Sequence, residues 1–407
     1  MYDIAVIGAG ASGVMAALKA KNNTNKIVLL EQNEKILKKI LVTGNGRCNL
    51  TNKNIDISSY HSSNLSLVKE IINTIDSKKI INYFNSIGLI TKYEDGLVYP
   101  YSNYASTVVD SLILELSKKE IEIITDYEVI NIEKINNYFE IENKQKEKIK
   151  AKYIILSTGG KSYYKDKVPV TGYKLLEIFN HNIMPTFPSL VRLKTNHNDM
   201  YRLKGMKIKA CASVYINNKL MNSEIGEVLF GDGTLSGICI YNLSYYVNKH
   251  HKEDINISLD IMPEYSVNEI KEFIINKKDN SLIDAISYFF HKKIARSIII
   301  DSKLNPENLI TNITGEEINK LIKTIKSWNF TITGTDDFKA SQVTSGGLDL
   351  NEFTRNLESK KIDNLFVTGE VLDVDAICGG FNLQWAFSSG YVVGEKLNKL
   401  TNKKENI

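Results

Sequence analysis

The 407 residues predict an α/β fold in which the main domain is interrupted by a β-rich insert and a small helical lobe. Three observations carry this. An apolar strand, Asp3–Ile7, runs into Gly8-Ala9-Gly10-Ala11-Ser12-Gly13 and then into a helix-forming stretch. From about Phe187 the pattern changes to alternating segments with turns such as Asn217-Asn218. The α/β pattern returns at Leu365–Val367, and Gly379-Gly380 opens a last helix reaching about residue 399. The expected boundaries are 1–187 with 346–407 for the discontinuous main domain and 188–345 for the insert, with the helical lobe at about 267–328.

The first strand, turn and helix form a dinucleotide-binding fingerprint of the Rossmann type. Gly8 makes the tight turn, Gly10 lets a pyrophosphate approach the backbone, and Gly13 lets helix and strand pack closely. Ala11 and Ser12 open the helix, whose free amides and dipole complement phosphate charge. A second strand, Ile27–Leu30, ends on Glu31 and Gln32, at roughly the 20-residue interval beyond the glycines where an acid binds ribose hydroxyls. An acid rather than a base here favours FAD or NAD over NADP.

Residues 64–87 read as helical, 96–102 as a short extended piece closed by proline, and about 104–118 as a helix. Ile121–Ile124, Glu128–Ile132 and Tyr138–Glu142 are strand-like, with Val129 in the second of them. Tyr153–Ser157 is a buried-type strand running into Thr158-Gly159-Gly160, whose small residues admit a flat ligand or a pyrophosphate at the sheet edge. A second glycine cluster, Gly44-Asn45-Gly46-Arg47-Cys48-Asn49, supplies unusual backbone angles and reads as a loop following the cofactor toward its redox ring. The third cluster is Gly369-Glu370 with Asp373, then Gly380-Phe381-Asn382-Leu383. Its acids suit ribityl hydroxyls, and the helix it opens can face the flavin edge that turns negative on reduction.

Composition narrows the function classes. The net charge of +4 is slight for this length and the lysines are scattered, so no nucleic-acid partner is expected. The apolar runs are too short to span a bilayer, and no secretory leader is evident, so a cytoplasmic setting without a membrane partner is expected. Cys48, Cys211, Cys239 and Cys378 form no CxxC pair, and the histidines lack ligand spacing, so no metal is expected.

The segments VIGAGASG, KKILVTGNGRCNLTN, GLVYPYSNYA, STGGKSY, GEVLFGDGTLSG, VTSGGLDLNEF, NLESK and GEVLDVDAICGGFNLQWAFSSG run in order from end to end. With them the chain resembles bacterial FAD-binding oxidoreductases known as the aminoacetone oxidase family or the bile-acid-inducible NAD(P)/FAD-dependent oxidoreductases. The resemblance implies an FAD-binding Rossmann-type domain and FAD contacts at Ser12, Glu31, Arg47, Cys48, Val129, Glu370, Asp373, Asn382 and Leu383. The chain departs from the family at Leu97, where arginine is usual, in KDKVPVTGY after STGGKSYY, and at Cys378, where threonine is common.

With one fingerprint and no second GxGxxG, the leading reading is an FAD-dependent oxidoreductase exchanging hydride with a small-molecule substrate, with NAD(P)H as a candidate transient electron donor. A peroxide-forming oxidase of a small amine and an FAD-binding RNA-modification accessory are the competing readings. Tyr99, Tyr101, Tyr163 and Tyr164 lie in plausible loops, but no catalytic acid or base is singled out by the sequence.

Overall fold

The computed structural model describes residues 1–162 and 172–402. The chain forms two compact units, Met1–Phe187 with Val343–Ile407, and Pro188–Gln342. Tyr163, Tyr164 and the KDKVPVT segment, like the last five residues of the tail, lie outside the described residues.

The first unit is built on a seven-stranded sheet. Its first strand, Tyr2–Ile7, is buried from Ile4 to Ile7, the composition of a parallel strand covered on both faces. It pairs in parallel with Ile27–Leu30 on one side and Lys148–Leu156 on the other, so that Ala5 lies between Val28 and Ile154. Glu122–Ile124 adds a further parallel strand beyond Ile27–Leu30. Lys148–Leu156 is shared between two partners. Its first part, Lys148–Ala151, pairs antiparallel with Tyr138–Asn143, which forms a hairpin with Val129–Ile135. Its end, Ile154–Leu156, pairs in parallel with Leu365–Val367.

The stretch 64–87 is two helices, Leu65–Thr74 and Ser77–Ser86, rather than one. The chain leaves helical geometry at Ile75, and the Asp76 carboxylate caps the second helix by accepting from the Lys79 amide at 2.8 Å.

The first helix, Ala11–Ala20, packs on the last, Phe381–Thr401. A Cβ on Gly390 would lie 2.3 Å from the Ser12 carbonyl oxygen, and one on Gly394 would lie 2.7 Å from that of Ala16. The backbones therefore approach more closely than any side chain allows. Beyond the helix ends, the Asn22 side-chain amide donates to the Asn398 carbonyl and the Thr401 hydroxyl, both at 3.1 Å.

A second buried device sits under the returning segment. His181 Nδ1 is 2.6 Å from Glu352 and its Nε2 is 2.9 Å from the Ser359 hydroxyl, with the ring stacked on Phe353. The Ser359 oxygen already accepts the amides of Lys361 and Ile362, which leaves the hydroxyl proton for Nε2. That pattern suits a neutral imidazole, and burial pushes the His181 pKa down against the pull of Glu352.

The second unit closes a six-stranded antiparallel barrel in the order Leu193–Thr195, Thr234–Ser236, Lys219–Phe230, Lys207–Ile216, Ile255–Asp260, Trp328–Thr335. Ala210, Ala212, Val214 and Ile216 point inward at every second position, while Lys207 and Lys209 face solvent. The helix Ile238–Lys249 adds Cys239, Ile240, Leu243 and Val247 to the barrel core. The expected helical lobe comprises Val267–Ile275, Leu282–Ser287, Lys292–Asp301 and Gly315–Lys326, and ends where Trp328 enters the barrel.

Two outcomes follow. Gly390→Ala places a methyl against a backbone carbonyl and is expected to cost about 1–3 kcal/mol of stability. Denaturant unfolding measures this, and an unchanged midpoint would show that the helices separate freely. With its pKa below the ordinary value of about 6.5, His181 binds fewer protons folded than unfolded. Its contribution is intact above about pH 6.5 and is lost as pH falls from there toward the lower folded pKa. His181→Gln is expected to be less stable at pH 8 but flatter between pH 5 and 7, as read by thermal unfolding across that range.

Candidate functional site

The site grows from the carboxyl ends of the parallel strands. At Gly8 (φ +101°) a Cβ would lie 2.5 Å from the Ser157 carbonyl oxygen, and at Gly13 one would lie 2.0 Å from that of Gly8. Both are glycine because strand, turn and helix touch there. Gly10 is different. Its backbone (φ −82°, ψ −169°) suits any residue, and no atom lies within 4 Å of where its Cβ would stand. The second glycine therefore keeps space open beside the helix end. Gly10 is also the N-cap, and no side chain caps the helix, so its first-turn amides at Ala11, Ser12 and Gly13 are available to an anion.

Glu31 stands at the end of the neighbouring strand, buried. One carboxylate oxygen accepts both the Asn33 backbone amide at 3.0 Å and the Asn33 side-chain amide at 2.5 Å, while the other accepts the Ala9 amide at 2.9 Å and keeps a lone pair for a hydroxyl. Gln32 follows, half-buried. The Tyr127 amide donates to the Glu31 carbonyl, which brings the chain leading into Val129 alongside Glu31; Val129 itself is buried.

On the other side of the first strand, Thr158, Gly159 and Gly160 leave the end of Lys148–Leu156. Gly159 (φ +72°) has open space where a Cβ would be, whereas Gly160 lies against Thr344. The Thr158 hydroxyl is buried without a hydrogen-bond partner among the described residues. Gly369 (φ +79°) sits over the first helix, a Cβ there falling 2.4 Å from the Ser12 hydroxyl oxygen. Its amide donates to Ser389 and its carbonyl accepts from the Trp385 indole.

Glu370 is the hub of a polar cluster. It accepts from the Thr344 amide and from Lys39 Nζ, both at 2.7 Å, and from the Ser162 hydroxyl at 3.1 Å. Lys39, Ser162 and Thr344 escaped the sequence reading. Their signal was their place inside KKILVTGNGRCNLTN, STGGKSY and VTSGGLDLNEF, where a lysine, a serine and a threonine adjoin glycine-rich turns.

The second glycine cluster is a kinked turn, with Gly44, Asn45, Gly46 and Cys48 all at positive φ. The Arg47 guanidinium lies 4.0 Å over the Tyr99 ring and donates to Glu94 at 2.5 Å and Asn103 at 2.9 Å. Its charge is thus directed at Glu94 rather than into open space. Cys48 has no exposed surface, and burial pushes its thiol up to about 12. Asn49 accepts the Val98 amide at 3.2 Å.

This turn meets the start of the last helix. Gly380 (φ +90°) would place a Cβ 2.8 Å from the Thr51 carbonyl oxygen, so the position needs glycine for backbone reasons. Phe381 is buried and its carbonyl accepts from the Tyr60 hydroxyl. The Asn382 side chain accepts from the Ala376 amide at 2.9 Å and donates to the Ala376 carbonyl at 2.8 Å, while Leu383 is half-buried beside it. Asp373 is apart from Glu370's cluster, with its carboxylate on the Ser63 amide at 2.8 Å. Burial raises its pKa, as do Asp375 and Asp349, against that hydrogen bond.

The residues therefore form two groups. Gly8 to Gly13, Thr158 to Gly160, Gly369 and Glu370 surround the first helix start, with Glu31, Gln32 and the chain entering Val129 beside it. Gly46 to Asn49 and Gly380 to Leu383 surround the last helix start. An extended dinucleotide fits the first group on two observations, the open cradle at Gly10 and Gly159 and the orphaned Thr158 hydroxyl. Among the described residues no group of three His, Cys, Asp or Glu is placed to hold a metal ion. Nor, among the described residues, is any helix long and apolar enough to cross a membrane.

Gly10→Val is expected to leave the unfolding midpoint within about 1 kcal/mol of the parent, since its φ and ψ are ordinary. Dinucleotide retention is expected to fall at least tenfold. Cofactor content after gel filtration checks this, and full retention would place the ligand elsewhere.

Residues 2–396 match the family model described as HI0933-like protein Rossmann domain. The chain is 31% identical over 408 aligned residues to a 3-dehydro-bile acid delta(4,6)-reductase of Clostridium scindens, covering 97% of this chain and 98% of the relative. It is 28% identical to a ribosomal RNA dihydrouridine synthase of Escherichia coli, with coverage of 97% and 98%. Among solved structures, Mycobacterium smegmatis Sdh1 in complex with UQ1 shares the fold at TM-score 0.50 and 13% identity, over 99% of this chain and 69% of that one.

Proposed function

Since the chain belongs to the HI0933-like Rossmann-domain family and is an FAD-binding oxidoreductase of it, we propose that it reduces a carbon–carbon double bond conjugated to a carbonyl group. The two kinds of relative support this by what their names share. The Δ4,6 pair of double bonds beside a 3-oxo group and the ring double bond of uridine are alike conjugated to a carbonyl. The observation that carries the cofactor assignment is the uncapped helix start with open space over Gly10.

Bound FAD supplies hydride exchange. The chain's own residues hold it. The amides after Gly10 take the pyrophosphate, Glu31 takes the adenosine ribose with Gln32 and Val129 flanking, and Thr158 gives its unused hydroxyl to the same ligand. Lys39 and Glu370 fix the turn at Gly369, and the first turn of the last helix, at Gly380 to Leu383, directs its positive end at the ring edge that gains charge. With one fingerprint in the chain, NAD(P)H is a transient donor without a Rossmann domain of its own. A uridine in RNA stands beside a flat oxo-steroid as a substrate, on the strength of the relatives' names alone.

The test is direct. Heat-released cofactor is expected to chromatograph as FAD, and NAD in its place would overturn the reading. The protein, reduced without oxygen, is then mixed with a 3-oxo-Δ4,6 steroid, a uridine-containing RNA, a simple enone, or O2. Reoxidation by one of the conjugated substrates, with its saturated product recovered, is expected to outpace O2 by at least tenfold. Reoxidation by O2 alone would make the protein an oxidase.

A further inference from the structure

The two segments most specific in the sequence, Gly44–Asn52 and Gly379–Gln384, interlock through a buried polar chain. Gln384, in the first turn and a half of the last helix, has no exposed surface, and neither has Thr51. The Gln384 side-chain nitrogen donates to the Ile75 carbonyl at 2.8 Å and to the Ser388 hydroxyl at 2.7 Å. Ser388 passes its own proton to the Ile75 carbonyl at 2.7 Å. With both N–H groups used, the amide has one orientation, and its oxygen is left to accept the Thr51 hydroxyl at 2.5 Å. One residue on, the Asn52 side chain donates to the Gly379 carbonyl at 3.0 Å. Between these two bonds the Thr51 carbonyl lies against the Gly380 α-carbon, where a Cβ would be 2.8 Å away.

Both N–H groups and the oxygen of the Gln384 amide are matched within this chain. A satisfied buried network is rigid, and it becomes costly when one member is removed. It does not itself face a ligand. What it does is pin both sides of the turn that starts the last helix, the carbonyl of Gly379 before it and the side chain of Gln384 after it.

We propose that Thr51 and Gln384, with Asn52, are positioning residues that set the reduction potential of the bound flavin. By holding the first-turn amides of the last helix at a fixed distance from the ring edge, they make the helix end stabilise the reduced form more than the oxidised one. This rests on the FAD reading above. Loosening the clamp weakens binding of reduced FAD more than that of oxidised FAD, so the potential falls.

Thr51→Val keeps the shape of the side chain and removes its proton, leaving the Gln384 oxygen unmatched. Spectroelectrochemical titration of the purified holoprotein is expected to show a three- to tenfold drop in relative affinity for reduced flavin. For a two-electron couple that is about 15–30 mV downward. Thr51→Ser, which restores the donor, is expected to return the potential to within twofold of the parent, and Asn52→Ala to shift it in the same direction by less. If Thr51→Val does not fold, Asn52→Ala carries the test alone, since its bond is at the edge of the network. An unmoved potential at full FAD content, or equal shifts in the serine and valine variants, would overturn the proposal. A wild-type protein that holds no FAD and binds none added would overturn both readings at once, and that is seen before any variant is made.

Discussion

The cradle beside the first glycine turn depends on the close packing of the first helix against the last. Gly390 and Gly394 give up side chains so that their helix can lie on the backbone of Ser12 and Ala16. That approach carries Gly369 onto Ser12 and places the Glu370 cluster beside the turn that begins at Gly8. A fingerprint at one end of a chain and an acid-bearing turn at the other serve one ligand only if their helices meet at this separation. The small residues ASGVMAALKA on one side and SSGYVVGEK on the other are the sequence record of that requirement.

Polar matching then does what apolar packing cannot. Lys39, Ser162 and Thr344 converge on Glu370, and Thr51, Ser388 and Ile75 converge on Gln384. Each cluster ties segments far apart in sequence through groups with a single satisfied arrangement, which gives the loops near the cradle definite positions. The glycines divide by role in the same region. Gly8, Gly13 and Gly380 relieve collisions within the protein, while Gly10 and Gly159 leave room for something outside it.

The main architecture was legible because its signals are local. A buried strand, a glycine turn, a helix and a strand ending on an acid can be read from thirty residues, and the alternating strands of the insert announce themselves by period two. The helix break at Ile75 was not legible, since Ile71, Ile72, Ile75 and Ile80 keep an apolar pattern across it, and only the capping action of Asp76 marks the stop. Lys39 and Gln384 were hidden for another reason. A lysine eight residues after Glu31 and a glutamine in an apolar helix have no meaning until their partners, far away in sequence, are known. Arg47 was visible as a charge among glycines, but its destination, Glu94 and Asn103, was not.

The sharing of one strand between two partners has a bearing on how the chain is made. Tyr138–Asn143 can join Lys148–Leu156 as soon as both leave the ribosome, but the place beside Ile154–Leu156 waits for Leu365–Val367, more than two hundred residues later. Through that interval the central strand offers an unpaired edge and the first helix lacks its partner. The barrel unit, contiguous from Pro188 to Gln342 and with a core of its own, emerges whole in the meantime and can close first. Synthesis thus finishes the inserted unit while the interrupted one is held open, and the residues from Val343 onward both seal the exposed edge and complete the cradle.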